Sequence, residues 1–175
     1  MTGLRKSFAA LALIAGLLVG VAGPASALSP PLQSVKHSLR RFHSVSYAQN
    51  HGFGLVVDVN GVSCIDGPKR EGNMGYHYAN GGLLTDGRIE RYHPEAVLYE
   101  RTAHGLELTA IEYIVLKADW QVHHQHPPTL FGQQFMLVKA PNRFGLPDFY
   151  MLHAWLWKGN PNGRFNLWNP RIPCP

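Results

Sequence analysis

The sequence predicts an α+β domain in which an N-terminal helix packs on a curved antiparallel sheet or half-barrel. Two kinds of pattern lead to this prediction. An early segment has apolar residues at helical spacing, and the later segments are short apolar or aromatic runs that end at Gly, Pro and Asn turns. One helix followed by several strands with short connections is typical of the α+β class.

The first residues have the features of a secretory signal peptide. Arg5 and Lys6 form a basic region, Phe8 to Val21 is apolar, and Ala25-Ser26-Ala27 is a small-residue cleavage site. We expect cleavage after Ala27, so that residues 1–27 are the signal peptide and residues 28–175 form a single domain. An uncleaved membrane anchor is the alternative, but the apolar region is shorter than a full span.

The charge of the chain gives no indication of nucleic-acid binding. The whole chain has a net charge of +5, and loss of Arg5 and Lys6 leaves 14 basic and 11 acidic residues, a net charge of +3. This small and scattered excess is unlike the clustered basic patches of nucleic-acid-binding proteins. We therefore expect no nucleic-acid partner and no stable membrane anchor, and the sequence identifies no protein partner.

Two cysteines remain after cleavage, Cys64 and Cys174. An even number of cysteines in an exported chain favours a disulfide. Such a bond would close a loop of more than 100 residues, which is worth about 4–5 kcal/mol in the chain-entropy model. Two free thiols or soft metal ligands are the alternative.

The helix is predicted from about Pro31 to His51. Its apolar positions recur at helical spacing, Ser29 and the following prolines resemble a helix start, and Gly52 is placed as a C-cap. The apolar positions are Leu32, Val35, Leu39 and Phe42.

Several strands are predicted from alternating or continuous apolar runs. The clearest is a hairpin, with turn residues Ala103-His104-Gly105 between its two strands. The predicted strands are Leu55–Val59, Ala96–Arg101, Leu106–Lys117, Phe135–Val138 and Phe149–Trp157. Between the first two, Met74–Tyr78 is an aromatic run and Leu83-Leu84 is a short apolar piece between turns. A small closed barrel of the cupin type is the alternative arrangement of these strands.

The most hydrophobic stretch outside the N-terminus is Phe149–Trp157, and His153 lies in its middle. Nine residues are too few for a membrane-spanning helix, and the aromatic content with flanking Pro and Gly favours a buried strand. Both faces of this strand are apolar. We therefore expect the imidazole of His153 to be buried, where it needs a hydrogen-bond partner or a metal.

Two more ionisable residues share this property. Glu112 lies among apolar residues of the second hairpin strand, and His77 lies in the aromatic run Met74–Tyr78. Two imidazoles and one carboxylate are typical ligands of zinc, copper, manganese or iron. His77, Glu112 and His153 are therefore the candidate ligands of one divalent transition metal. Alternatively, Glu112 accepts a hydrogen bond from one of the histidines or pairs with Arg101 or Arg143.

Two further residues are candidates for the same pocket. Tyr78 follows His77 and has a phenolic group that could donate a hydrogen bond. Glu100 lies on the strand that pairs with the one bearing Glu112, and two neighbouring carboxylates can divide acid and base roles. An exposed position opposite Arg101 in the hairpin is the favoured interpretation of Glu100.

A set of short motifs resembles a family of small exported bacterial proteins. The motifs are Met74-Gly75-Tyr76-His77-Tyr78, Glu112-Tyr113, Leu130-Phe131-Gly132-Gln133, Leu152-His153-Ala154-Trp155, and Asn160-Pro161 to Trp168-Asn169-Pro170 with Cys174. The resemblance implies one cysteine before the Gly-His-Tyr motif and another at the C-terminus, which Cys64 and Cys174 match. The chain departs from the family in its longer spacing over Ile65–Asn73. The resemblance implies a layout and no activity.

The sequence leaves three classes of function open. The first is an exported protein that binds a small ligand or metal ion in a pocket formed by His77, Glu112 and His153. The second is an enzyme that uses the same pocket for acid–base catalysis without a cofactor, since histidine and a buried glutamate can transfer protons near neutral pH. The third is a non-catalytic interaction module in which the three residues are structural.

Overall fold

The computed structural model of the chain describes residues 27–68 and 71–175. The predicted signal peptide therefore lies outside the described residues, except for Ala27. The described part is an α+β domain built on one curved, mostly antiparallel sheet, as the sequence predicts. None of the helices among the described residues is long and apolar enough to cross a membrane.

The longest of the described elements are the first helix and the four central strands of the sheet, each of seven or more residues. The helices are α1 (Pro30–Ser38), a 3-10 helix (Arg40–His43), α2 (Val45–Asn50), α3 (Gly81–Leu84) and α4 (Lys117–Gln121). The strands are β1 (Phe53–Leu55), β2 (Cys64–Asp66), β3 (Asn73–Asn80), β4 (Ala96–Thr102), β5 (Gly105–Leu116), β6 (Thr129–Leu130), β7 (Gln133–Gln134), β8 (Met136–Val138) and β9 (Phe149–Trp155).

The main sheet has the strand order β1-β3-β4-β5-β9-β8, and β2 pairs with β3 as well. Every pairing in it is antiparallel. The pairing of β4 with β5 shifts register after Leu98, so Thr109 is an extra residue in β5, and such a bulge bends and twists a sheet. Among the described strands the sheet does not close on itself, so the half-barrel prediction describes it better than the closed barrel.

The predicted helix from Pro31 to His51 is broken into three pieces. Ser44 has an extended backbone, and its hydroxyl accepts a hydrogen bond from the Tyr47 amide at 3.2 Å, so it caps a new helix. The helical spacing was read correctly, because Leu32, Val35 and Leu39 are all buried. The prediction of a continuous helix was wrong because a serine inside the pattern acts as a cap.

The predicted strand Leu55–Val59 is placed differently in the structure. The strand is Phe53–Leu55, and the chain turns at Asp58, whose carboxylate accepts hydrogen bonds from the amides of Asn60 and Val62 at 2.9 Å each. This turn uses the short acidic side chain to satisfy backbone donors.

The short apolar piece Leu83-Leu84 belongs to helix α3, which the side chain of Asn80 caps. The hairpin is confirmed, with strands β4 and β5 joined by Ala103-His104.

The two faces of the sheet have different covers, which explains why every residue of β9 is buried. The helices cover one face, where Val35 and Leu39 pack with Tyr99 and Tyr113. Loops and the C-terminal segment cover the other face, where Phe144, Leu146, Leu167 and Trp168 pack against buried residues of β3, β4, β5 and β9. His77, Glu112 and His153 lie in this second layer.

A disulfide joins Cys64 in β2 to Cys174 and holds the C-terminal segment in place, as the sequence predicts. The bond closes a loop with a sequence separation of 110 residues. We expect the double variant Cys64→Ser, Cys174→Ser to lose about 3–4 kcal/mol of unfolding free energy, somewhat less than the chain-entropy value because denatured chains retain structure. Urea denaturation with and without reductant measures this loss. A change below about 1 kcal/mol would contradict it.

Candidate functional site

Three neighbouring parts of the sheet bring the candidate residues together. His77 is on β3, Glu112 on β5 and His153 on β9, and Glu112 and His153 are directly opposite each other in the β5–β9 pairing. Each of the three residues is 2 % exposed. The sequence-predicted cluster is therefore present in the structure as three ionisable groups in the apolar layer beneath the loops.

A small residue on the intervening strand allows the cluster to form. Strand β4 separates β3 from β5, and Ala96 of β4 lies opposite Glu112 on one side and Ala79 on the other. A large side chain at Ala96 would separate His77 from Glu112. The two alanines therefore leave the space in which His77 and Glu112 approach each other.

The polar atoms of the cluster approach one another without bonding. His77 Nε2 lies 3.5 Å from Glu112 Oε2, and His153 Nδ1 lies 3.9 Å from Glu112 Oε1. Both distances exceed the usual length of a hydrogen bond. His77 Nε2, Glu112 Oε1 and both ring nitrogens of His153 have no hydrogen-bond partner among the described residues. Because most buried polar atoms are paired, four unpaired atoms in one cluster require an explanation.

The orientation of the His77 ring defines its tautomer. Nδ1 lies 3.3 Å from the carbonyl oxygen of Gly75, and a carbonyl can only accept, so Nδ1 carries the proton and donates it. In the neutral ring Nε2 then has a free lone pair, which faces Glu112. The ring of His153 stacks on Trp155 with ring centroids 4.5 Å apart, which holds it in the layer.

Gly75 supports this geometry, and only glycine fits its position. Its φ angle is +89°, and a Cβ atom added there would lie 2.4 Å from the Tyr99 carbonyl oxygen. We expect Gly75→Ala to lose more than the about 1–3 kcal/mol typical of backbone strain alone. Thermal unfolding measures this, with Gly132→Ala as control, since Gly132 has φ +73° and no atom within 4 Å of the added Cβ. Equal losses in the two variants would contradict the steric argument.

Burial holds all three groups in their neutral forms. Desolvation lowers the pKa of His77 to about 4 and raises the pKa of Glu112 to about 8. Desolvation, with a contribution from His77, also lowers the pKa of His153 well below its ordinary value. Near neutral pH the cluster is therefore two imidazoles and a carboxylic acid, and the short distances do not represent ion pairs.

Two cavities border the cluster. The first has a volume of about 160 Å³ and is lined by His77, Glu112 and nine apolar residues, which are Val56, Ala79, Leu84, Ala96, Ile114, Phe144, Leu146, Phe149 and Met151. The second, of about 140 Å³, is lined by His153 together with Gln133, Gln134, Met136, Met151, Leu152, Phe165 and Leu167. Met151 lines both cavities, so the cluster lies between them.

The second-rank candidates lie elsewhere. Tyr78 belongs to the helix-side core, where its ring packs edge-to-face on Tyr99 with centroids 5.3 Å apart. Glu100 pairs with Glu107 in the β4–β5 register, four residues along β4 from the partner of Glu112. It is buried and binds the Lys158 ammonium at 2.7 and 2.9 Å, so the interpretation of Glu100 as an exposed hairpin residue was wrong.

The arginines proposed as partners of Glu112 have other contacts. Arg101 donates to the Tyr76 hydroxyl at 3.5 Å, and Arg143 binds the carboxylates of Asp58 and Asp66 at 2.8 and 3.0 Å. Neither arginine forms an ion pair with Glu112 in the described part of the chain. Among the described residues, the ionisable side chains within 4.0 Å of the Glu112 carboxyl group as possible ion-pair partners are the two imidazoles.

Sequence reasoning missed another buried carboxyl group, that of Glu95. Its Oε2 accepts a hydrogen bond from the Ile114 amide at 2.8 Å, and it is 2 % exposed. Burial raises the pKa of Glu95 to about 8. Glu95 follows Pro94 and directly precedes β4, so the sequence at this point resembles a turn. Extending the predicted strand Ala96–Arg101 by one residue toward the N-terminus would have included Glu95.

No group of three or more His, Cys, Asp or Glu side chains in residues 27–68 and 71–175 is arranged, in this conformation, to hold a metal ion. The rings of His77 and His153 have centroids 6.5 Å apart. The chain matches no family model, no curated protein and no solved structure. The fold and the site therefore define only a class: a disulfide-closed α+β domain with a buried polar cluster between two cavities.

Proposed function

We propose that the chain is an exported ligand-binding protein whose site is the cluster of His77, Glu112 and His153, and that this cluster binds a divalent transition metal ion. The observation that carries the proposal is the set of four buried polar atoms without partners. Leaving such atoms unpaired costs about 1–3 kcal/mol each, so a ligand that pairs them recovers this free energy on binding.

The donor set suits a transition metal. Ligands that share a tetrahedral ion at 2.0–2.2 Å lie about 3.3–3.6 Å apart, and the 3.5 Å between His77 Nε2 and Glu112 Oε2 falls in this range. His77 also donates its other ring nitrogen to a backbone carbonyl, as metal-bound histidines usually do. Two imidazoles with one carboxylate suit zinc, copper, manganese or iron.

Metal binding requires a local adjustment. The 3.9 Å between His153 Nδ1 and Glu112 Oε1 is longer than the separation of two tetrahedral ligands. The ion draws the His153 ring toward Glu112, and the cavities on either side of the cluster leave space for that movement. Three protein ligands would leave a further coordination position for water or a small ligand.

The metal content of protein prepared without an affinity tag tests this proposal. We expect about one ion per chain in the native protein and less than a tenth of that in Glu112→Gln, which keeps the shape of the side chain but cannot release a proton to become a carboxylate ligand. Glu107→Gln on the same strand is the control, because Glu107 is exposed. Equal metal content in all three proteins would show that the ion binds elsewhere.

Export is part of the proposal. The disulfide between Cys64 and Cys174 supports it, since disulfides persist in oxidising compartments. The basic and apolar regions of residues 1–27 support cleavage after Ala27. The intact mass of protein recovered from outside the cytoplasm tests this, with a mature chain that begins at Leu28 as the expected result.

The pKa of Glu112 near 8 favours one second candidate, a cofactor-free acid–base enzyme that uses the first cavity. A carboxylic acid beside an unprotonated imidazole can donate and accept protons in one step. Under this candidate, turnover persists in the presence of a chelator and Glu112→Gln abolishes it. Loss of turnover on chelation would instead favour the metal site.

A further inference from the structure

The first cavity has two polar side chains at its buried end and apolar side chains elsewhere. His77, Ala96, Glu112, Ile114, Phe149 and Met151 are buried and form the floor, and the half-buried residues Val56, Ala79, Leu84, Phe144 and Leu146 form the walls toward the surface. A ligand in this cavity would meet polar atoms at one end only.

We propose that this cavity binds a single-ring organic molecule that carries one hydroxyl or amine hydrogen-bond donor. The inference rests on the proposed function for the location of the site, and it applies to the metal-free protein, in which His77 Nε2 is not coordinated. It adds the chemical class of the ligand, which the cluster alone does not define.

The size of the cavity sets the size of the ligand. Apolar cavities of about 150 Å³ lined by Leu, Ile and Phe bind benzene. The cavity beside His77 has about 160 Å³, so it has space for one ring with a small substituent. Phe144 and Phe149 pack edge-to-face with centroids 6.3 Å apart, and such aromatic walls favour a flat ring.

The polar atoms at the floor set the chemistry of the ligand. His77 Nε2 has a free lone pair because Nδ1 donates to the Gly75 carbonyl, and it has no hydrogen-bond partner among the described residues. A lone pair is satisfied only by a donor, so the ligand needs an O–H or N–H group at one end. An apolar ring of the same size would leave Nε2 unpaired and would bind more weakly.

Two probes of matched shape test this inference, 4-fluorophenol and 4-fluorotoluene, which differ in a hydroxyl against a methyl group. Fluorine NMR line broadening measures their binding to the cleaved, metal-free protein in the presence of a chelator. We expect 4-fluorophenol to bind at least tenfold more tightly than 4-fluorotoluene. Replacing His77 by Phe should reduce this ratio to about one, because the acceptor is lost.

Cavity-filling variants show where the probe binds. Ala79→Leu and Leu84→Phe fill the first cavity from two sides and should abolish binding, whereas Leu167→Phe fills the second cavity and should not. Thermal unfolding shows whether each variant is folded. One folded variant out of Ala79→Leu and Leu84→Phe is enough for the test.

Absence of binding to the native protein, equal binding of both probes, or binding that survives Ala79→Leu and Leu84→Phe would overturn the inference. If the native protein contains no metal but its chelator-treated form binds the probe, only the metal proposal is refuted. If the native protein contains about one ion per chain but its chelator-treated form does not bind the probe, only this inference is refuted.

Discussion

Zinc at a thousandfold excess over its dissociation constant raises the melting temperature of the metal-free protein by about 8–16 °C, if the cluster binds the ion as proposed. A ligand that binds only the folded chain stabilises it by about 4 kcal/mol at that concentration. For a domain of this size, each kcal/mol corresponds to about 2–4 °C. Differential scanning calorimetry in increasing zinc measures the rise, and copper and manganese are tested in the same way.

Three variants distinguish zinc binding at the cluster from zinc binding at the protein surface. They are Glu112→Gln, His153→Leu and Glu107→Gln. The first two remove a ligand and should abolish the zinc-dependent rise, whereas Glu107→Gln on the exposed part of β5 should keep it. His153→Leu also replaces an imidazole that has no hydrogen-bond partner among the described residues, so its metal-free form should be as stable as the native protein or more stable. An unchanged zinc response in His153→Leu would make the cluster structural.

Raising the pH from 6.5 to 8 lowers the unfolding free energy of the metal-free protein by about 3 kcal/mol. The pKa values of Glu95 and Glu112 are raised to about 8 in the folded chain, from an ordinary value of 4.5. In this range the unfolded chain has already released both protons while the folded chain still binds them, so stability is lost as the pH rises through the folded pKa values. Urea denaturation at a series of pH values measures the loss.

Below pH 6.5 the two histidines affect the unfolding free energy in the opposite direction to the two glutamates. The pKa values of His77 and His153 are lowered by burial, so the unfolded chain binds protons below pH 6.5 that the folded chain does not bind. Between about pH 4.5 and 6.5 the two histidines and the two glutamates oppose each other, and the profile should be nearly flat.

Glutamine variants assign the alkaline loss to the two carboxyl groups. Glu95→Gln keeps an oxygen for the Ile114 amide, and Glu112→Gln keeps the shape of its side chain, so each should remove about half of the loss between pH 6.5 and 8. Glu107→Gln should leave the loss unchanged. A native protein that is equally stable at pH 6.5 and 8 would show that neither carboxyl group is held neutral.

The class of fold and the members of the cluster could be predicted from the sequence because both depend on local pattern. Strand β9 is a continuous apolar run, and the alternation along β5 places Glu112 among apolar residues. A histidine or glutamate inside such a run is buried wherever the strand lies in the sheet. The prediction that His77, Glu112 and His153 approach one another is confirmed by the distances between them.

What the sequence could not provide depends on contacts between distant segments. The ammonium of Lys158 reaches Glu100 across the sheet and buries it, and no local pattern indicates that pairing. Tyr78 follows His77 in the sequence, but alternation along β3 directs it into the opposite layer. The break in the first helix depends on Ser44 accepting a single hydrogen bond, which the apolar spacing does not indicate.

The most direct test of the central claim is a crystal structure of the cleaved protein grown with zinc, with diffraction data collected on both sides of the zinc absorption edge. The claim is that the unpaired atoms of the buried cluster jointly bind one metal ion. It predicts one anomalous peak about 2.0–2.2 Å from His77 Nε2, a Glu112 oxygen and a His153 ring nitrogen. Zinc peaks only at surface histidines, with the three side chains still unpaired in the cluster, would contradict it.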